Sequence, residues 1–97
     1  MIVEIECNPN PCGTKEKEFQ FTDEAIACIK HSGLKHTVGP LGTIIEGEPE
    51  QVWDLLRRVH EAALKSGAKM VNTSIKILEY ADREKNPSMD QLTAKWK

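Results

Sequence analysis

The sequence predicts an α+β fold with the element order βαββαβ and a short C-terminal helix. Segments with the two-residue period of strands alternate along the chain with segments that have the period of amphipathic helices. The same Ser-Gly-x-Lys pattern joins a helix to a strand twice, within 31–35 and within 65–69, which indicates two βαβ halves. Right-handed crossovers then place both helices on one face of an antiparallel sheet, the ferredoxin-like or split-βαβ architecture.

Length and composition narrow the class of protein. At 97 residues the chain suffices for one core, so we expect a single domain over 1–97. A hydrophobic fraction of 39% excludes global disorder, and a net charge of −2 provides no positive field for nucleic acid or anionic lipid. No apolar run approaches the roughly 18 residues of a membrane helix, and the N-terminus is acidic where a signal peptide is basic. We therefore expect a cytoplasmic protein with no nucleic acid and no membrane as partner.

The first strand and the first helix are separated by a proline-containing segment. Alternation predicts a strand at Ile2–Cys7, and two prolines then predict a loop at Asn8–Gly13. An apolar face at helical spacing predicts the first helix from about Glu16, with Thr14 as a candidate N-cap and Thr22 as an alternative start. The helix is expected to end at Gly33, because glycine is the usual left-handed residue after a helix.

Two short strands are predicted to form a hairpin. An extended stretch runs from Leu34 to Val38, and β-branched residues follow at Thr43–Gly47. Between them, Gly39–Gly42 has the glycine and proline content of a tight reversal. The fourth strand is predicted at Met70–Leu78, where residues again alternate.

The second helix carries the strongest helical pattern. Pro49 suits its first turn, and an apolar face continues toward Gly67. A polar linker is predicted at Ala81–Pro87 and a short last helix at Ser88–Trp96. That helix is expected to lie over a sheet edge or to reach a neighbouring subunit.

Strand alternation divides the sheet into two faces. One set of residues is expected to face the helices: Val3, Ile5, Val71, Thr73 and Ile75. The other set is polar and lines the face without helices, called here the open face: Glu4, Glu6, Asn72, Ser74, Lys76 and Glu46. The open face is either solvated, an oligomer interface, or a pocket that offers carboxylates and hydroxyl or amide groups to a polar ring.

The sequence predicts no catalytic residue and no metal ligand. It shows no paired acid and base, no nucleophile with an oriented partner and no cofactor motif, so we expect a protein that is not an enzyme. The first three strands contain no aromatic residue on which RNA bases could stack. Three cysteines without an export signal are expected to be free thiols. A soft-metal site at Cys7 and Cys12 remains an alternative, although their spacing is wider than usual.

One extended segment resembles a known family. The stretch Gly33–Glu48 contains Gly-Thr-Ile-Ile-Glu-Gly and is followed by a helix and by Gly-Ala-Lys before a strand. This pattern is similar to that of the small thiamine-binding protein family, over Val3–Ile77, and Asp90–Lys95 resembles the family's C-terminal helix. The resemblance implies a ferredoxin-like homodimer or homotetramer that binds thiamine or a related hydroxymethylpyrimidine-type compound without converting it. No cofactor is implied beyond this ligand.

The resemblance also implies ligand-binding residues, which lie in the hairpin and on neighbouring strands. They are Thr37, Gly42, Thr43, Glu46, Asn8 and Asn72. Thr43 and Glu46 differ by an odd number of positions, so a regular strand sends them to opposite faces. Two other functions stay open: a regulatory domain for another small metabolite or a protein partner, and a thiol metal-binding module.

Overall fold

The computed structural model describes residues 1–97 and has the predicted order of elements. They are β1 (Ile2–Asn10), α1 (Gln20–His31), β2 (Lys35–Val38), β3 (Thr43–Glu46), α2 (Pro49–Lys65) and β4 (Met70–Leu78). The C-terminal segment adds a 3₁₀ turn (Arg83–Lys85), α3 (Met89–Thr93) and a final 3₁₀ turn (Ala94–Trp96). The strands form one antiparallel sheet in the order β2-β3-β1-β4. This is the predicted ferredoxin-like fold.

The hydrophobic core lies between the two long helices and the central strands. From the sheet it takes alternate residues of β1 and β3, and from α2 the predicted apolar stripe. Its largest fully buried side chains are Val3, Ile29, Ile45, Val52, Leu55 and Val59. Burying an aliphatic side chain of this size contributes about 1.5–3 kcal/mol. No residue after Ala63 is buried, and from the last third of the chain only the partly buried Val71 packs against this core.

The first strand is longer than predicted. Its pairing with β4 continues through Asn10, which lies opposite Met70, so the predicted strand end at Cys7 is wrong. β3 pairs with β1 only as far as Ile5. Beyond that point β1 has one neighbour and a free edge, and a strand with a free edge tolerates a proline such as Pro9.

The first helix begins later than its local pattern predicts. It starts at Gln20, and Thr14 instead accepts a 3.0 Å hydrogen bond from the Lys17 amide in a separate turn. The amides of Phe21 and Thr22 donate to the Cys12 carbonyl at 2.9 and 3.3 Å. A contact with the preceding loop therefore takes the place of a side-chain cap. The helix ends as predicted before Gly33, whose φ is +77°.

The remaining boundaries agree with the predictions to within one or two residues. The predicted linker contains the short 3₁₀ turn. The predicted last helix is divided into α3 and the final 3₁₀ turn, and Ser88 caps it by accepting from the Gln91 amide. This segment is therefore ordered by its own capping box.

The turn after α2 is expected to be sensitive to substitution at Gly67. Its φ is +130°, and an added Cβ would lie 2.8 Å from Cζ of buried Phe21. Gly33 is a matched control, because it has φ +77° and no atom within 4 Å of an added Cβ. Gly33→Ala should lower the free energy of unfolding by about 1 kcal/mol, and Gly67→Ala by about 2–4 kcal/mol. Equal losses in urea titrations would contradict the role of Phe21.

Candidate functional site

A cavity of about 120 Å³ opens on the helix-covered side of the sheet. It lies between the β2–β3 hairpin, the middle of β1 and the inner face of α1, with Val59 of α2 behind. A cavity of about 150 Å³ is known to hold a benzene ring, so this one is of the right size for a single six-membered ring. Its lining is apolar except for a few groups: Glu6, Cys7, Asn8, Thr22 and Thr43.

Thr43 presents a free hydroxyl to this cavity. The residue is only 4% exposed, and no side-chain hydrogen bond within the chain involves its hydroxyl. No side-chain nitrogen or oxygen atom is both buried and without a partner, so the Thr43 oxygen must reach the open space of the cavity. A ligand in the cavity would therefore find a free donor and acceptor group beside apolar side chains.

A second wall of the cavity carries a thiol. Thr73 Oγ1 donates to Cys7 Sγ at 3.7 Å, and His60 Nδ1 lies 2.7 Å from the same Thr73 oxygen. Burial raises the pKa of the Cys7 thiol, and the hydrogen bond from Thr73 opposes this increase. The thiol therefore stays protonated at neutral pH, which makes it a weak donor rather than a nucleophile.

Two polar residues of β1, Glu6 and Asn8, border the cavity, and their pairing with Ser74 and Asn72 places their side chains on the open-face side of the sheet. Asn8 Nδ2 donates to Glu6 Oε1 at 2.9 Å, which orients the carboxylate. On the hairpin side, the Gly39 amide donates to the Gly42 carbonyl at 2.9 Å and closes the turn. A Cβ on Gly42 would lie 3.2 Å from the Ile5 carbonyl oxygen, so this close approach of two backbones favours glycine.

The residues implied by the family resemblance are divided between the two faces of the sheet. Thr43 and Gly42 line the cavity. Asn8 borders it, but its register opposite Asn72 places its side chain on the open face. The strand register places the other three on the open face: Thr37, Glu46 and Asn72. Thr43 and Glu46 do point to opposite faces, as their odd spacing predicts.

Sequence reasoning missed two polar groups of the cavity, Cys7 and Thr22. Cys7 continues the inward alternation of Val3 and Ile5, and Thr22 falls on the apolar face of α1. The positions of both residues on an inward face were visible in the sequence. Cys7 had instead been considered for a metal site, and Thr22 for the start of the helix.

The open face is partly covered by the C-terminal segment. Glu46 accepts a hydrogen bond from the Met89 amide at the start of α3, and Lys35 forms an ion pair with Asp90. The last helix therefore lies over the β2–β3 side of the sheet, one of its two predicted positions. Glu46 is used there as a partner for the helix N-terminus, where an acid is favourable.

The ion pair makes this docking sensitive to pH. Lys35 holds the pKa of Asp90 below its ordinary value of 3.8, and Asp90 raises the pKa of Lys35 above 10.5. A lowered carboxyl pKa stabilises the docked state above pH 3.8 and loses that effect as pH falls through the folded-state value. A raised lysine pKa stabilises it below pH 10.5 and loses that effect as pH rises further.

We therefore expect the C-terminal segment to loosen below pH 3.8 while the core remains folded. The heteronuclear NOE of the Leu92 amide should fall in that range, and Asp90→Asn should show the low value already at pH 6. An NOE at Leu92 that is unchanged by acid and by the substitution would contradict this role of the ion pair.

The outer edge of β4 is unusually apolar. Ile75 faces the helix side as predicted, and Ile77 shares that face, but α2 does not cover them and both are 42% exposed. Trp53 and Leu64 of α2 are also exposed, on the helix stripe that includes His60 beside β4. The four apolar residues Ile75, Ile77, Trp53 and Leu64 are called here the β4 edge patch. Groups of exposed apolar side chains are typical of interaction surfaces.

Two further features concern metals and membranes. No group of three or more His, Cys, Asp or Glu side chains is arranged to hold a metal ion. None of the helices has both the length and the apolar character that crossing a bilayer requires.

Comparison with solved structures gives the same fold. A protein of unknown function from Bacillus cereus superposes with a TM-score of 0.86 at 26% identity, covering 99% of this chain and 88% of that chain. A Thermotoga maritima protein, described as a candidate for thiamine biosynthesis or salvage, superposes with a TM-score of 0.73 at 22% identity. That match covers 99% of this chain and 97% of the other.

Comparison of sequences places the chain in a family. A UPF0045 protein of Clostridium perfringens is 27% identical over 79 residues, covering 81% of this chain and 80% of that protein. A UPF0045 protein of Methanothermobacter thermautotrophicus is 23% identical over 86 residues, covering 87% of each. The model of the family described as "Thiamine-binding protein" matches residues 4–97. The chain belongs to the thiamine-binding protein family.

Proposed function

We propose that this protein binds thiamine or a related hydroxymethylpyrimidine-type compound, without converting it, in the cavity beneath the β2–β3 hairpin. The observation that carries the proposal is the free hydroxyl of Thr43 in a cavity the size of one ring. Membership of the family supports this class of ligand.

The chemistry of the cavity suits an aminopyrimidine ring. Apolar side chains such as Ile5 and Ile29 provide surfaces for the two faces of the ring. The hydroxyls of Thr22 and Thr43 offer donors and acceptors to its polar edge. Only one ring fits, so a thiazolium would lie at the rim, where the free edge of β1 brings Glu6 next to the cavity. A fixed negative charge there favours a permanent cation.

The same groups support binding without conversion. The Cys7 thiol is held protonated by burial, so it lacks the low pKa of a catalytic cysteine. The carboxylate of Glu6 accepts a hydrogen bond from the side-chain amide of Asn8, and an amide cannot act as a base.

The proposal includes assembly into a homodimer or homotetramer through β4. This strand has nine residues, and Lys76 is its only charged one. Exposed edge strands are normally protected by charges, prolines or bulges, and β4 has none of these along its apolar side. Antiparallel pairing of two copies of β4 about a two-fold axis would cover both edge patches and extend the sheet.

Thermal unfolding tests which of the candidate compounds bind to the protein. Thiamine, thiamine diphosphate and free hydroxymethylpyrimidine are added separately, with an unrelated heterocyclic cation as control. Ligand at 100 times its dissociation constant should stabilise the fold by about 2.7 kcal/mol, which for this size raises the midpoint by about ten degrees or more. The proposal expects this shift with thiamine or the pyrimidine and none with the control.

A Thr43→Val variant tests whether the shift of the unfolding midpoint comes from binding in the cavity. Valine has nearly the shape of threonine without the hydroxyl, so the variant should reduce affinity about tenfold while preserving the fold. If none of the compounds stabilises the wild-type protein, binding of thiamine-type ligands is contradicted. The regulatory alternative, with another metabolite or a protein partner, would then be favoured.

A further inference from the structure

Three hydrogen-bonding side chains form a line from the cavity to the flank of α2. Cys7 lines the cavity, Thr73 lies opposite it on β4, and His60 follows on α2. All three are partly buried. The arrangement therefore connects a cavity-lining thiol to two groups that hold it in place.

The protons in this line can be assigned one by one. A threonine hydroxyl has one hydrogen, and Thr73 donates it to Cys7 Sγ at 3.7 Å. The contact of 2.7 Å between His60 Nδ1 and Thr73 Oγ1 then requires the proton to be on Nδ1. The Cys7 sulfur already accepts from Thr73, so its own S–H is free to point into the cavity.

Thr43 supplies a second group on the same face of the sheet. It lies opposite Ile5, and Cys7 is two residues further along β1 on that face. Diagonal neighbours of this kind are about 7 Å apart. One six-membered ring with a hydrogen bond at each edge can bridge this distance.

We propose that the Cys7 thiol, oriented by Thr73 and His60, is a ligand-binding group that donates its S–H to an acceptor nitrogen of a heteroaromatic ring. The ring is held between Cys7 and the hydroxyl of Thr43. This inference rests on the proposed function and adds the selective contact to it. Thr73 and His60 act through the thiol and are positioning residues.

The thiol can be tested directly by alkylation. In a Cys12→Ser/Cys28→Ala variant, Cys7 is the only thiol that N-ethylmaleimide can modify. Saturating thiamine or hydroxymethylpyrimidine should slow its modification at least tenfold, and the unrelated cation should not. Once modified, the protein should no longer bind either compound. This readout depends on contact with the thiol and would not respond to a merely structural role.

Calorimetry on variants gives an independent test. Cys7→Ala should weaken binding of hydroxymethylpyrimidine about tenfold, and Cys7→Ser, which keeps a donor, about threefold or less. Thr73→Val should weaken it about threefold and change the alkylation rate of Cys7. Cys28→Ala serves as the matched control, because Cys28 packs against the core outside the cavity.

The outcomes of these experiments distinguish a failure of the Cys7 assignment from a failure of the proposed function. If the compounds bind the wild-type protein but neither protect Cys7 nor lose affinity in Cys7→Ala, the inference is wrong and the proposed function stands. If they fail to bind the wild-type protein, the proposed function is wrong, and the assignment of the thiol fails with it.

Discussion

Thr22→Trp is expected to reduce thiamine binding at least 100-fold without unfolding the protein. Thr22 lines the cavity at the start of α1 and is only partly buried, so an indole ring can enter the cavity without disturbing the core. The six-membered ring of the indole would fill the space of one ring, which is all that the cavity offers, and the rest of the side chain would block its opening. Isothermal titration calorimetry would measure the loss, and far-UV circular dichroism would show that the fold is retained.

Glu24→Trp is the matched control for this change. It introduces the same side chain on the same helix, at an exposed position that does not line the cavity. Its affinity for thiamine should remain within about twofold of the wild-type value. Unchanged binding in Thr22→Trp would show that the ligand site lies elsewhere.

Ile75→Lys combined with Ile77→Lys is expected to convert the proposed homodimer or homotetramer into monomers. Both side chains are 42% exposed in the single chain, so lysine at these positions costs the monomer little. In a paired edge, by contrast, the new charges would be desolvated and would face like charges of the second copy. Multi-angle light scattering should give 10.9 kDa for the variant and a multiple of that mass for the wild type.

Leu41→Lys provides the control for surface charge. Leu41 is 83% exposed at the tip of the hairpin, far from β4 in the order of strands. The mass of the Leu41→Lys variant in solution should equal that of the wild-type protein. A wild-type protein of 10.9 kDa at micromolar concentration would contradict assembly through the β4 edge patch.

Most of the fold could be predicted from local patterns, because β1 and the two long helices each bury one face. Alternation located β4, and helical periodicity with a proline in the first turn located α2. The errors at the end of β1 and the start of α1 have one cause. Pro9 was interpreted as a strand end, and Thr14 as a helix cap, from local chemistry alone. Pairing with β4 and the Cys12 carbonyl, both distant in sequence, decide these boundaries.

The candidate site was less accessible to sequence reasoning. The alternation rule separated Thr43 from Glu46, but it could not show which face holds a cavity. That depends on where α1 lies over the hairpin, which is a tertiary property. The sequence indicated the polar open face as a possible ligand site. In the structure the C-terminal segment covers part of that face, through contacts with Glu46 and Lys35.

The position of the bound ligand is the most direct test of the central claim. Two-dimensional ¹H–¹⁵N spectra of the labelled protein would be recorded as hydroxymethylpyrimidine or thiamine is added. We expect the largest shifts at the cavity, in the amides of Cys7, Thr22 and Thr43, with little change at Asn72 and Ser74 on the open face. Shifts that cluster on the open face, or no shifts at millimolar ligand, would contradict binding beneath the hairpin.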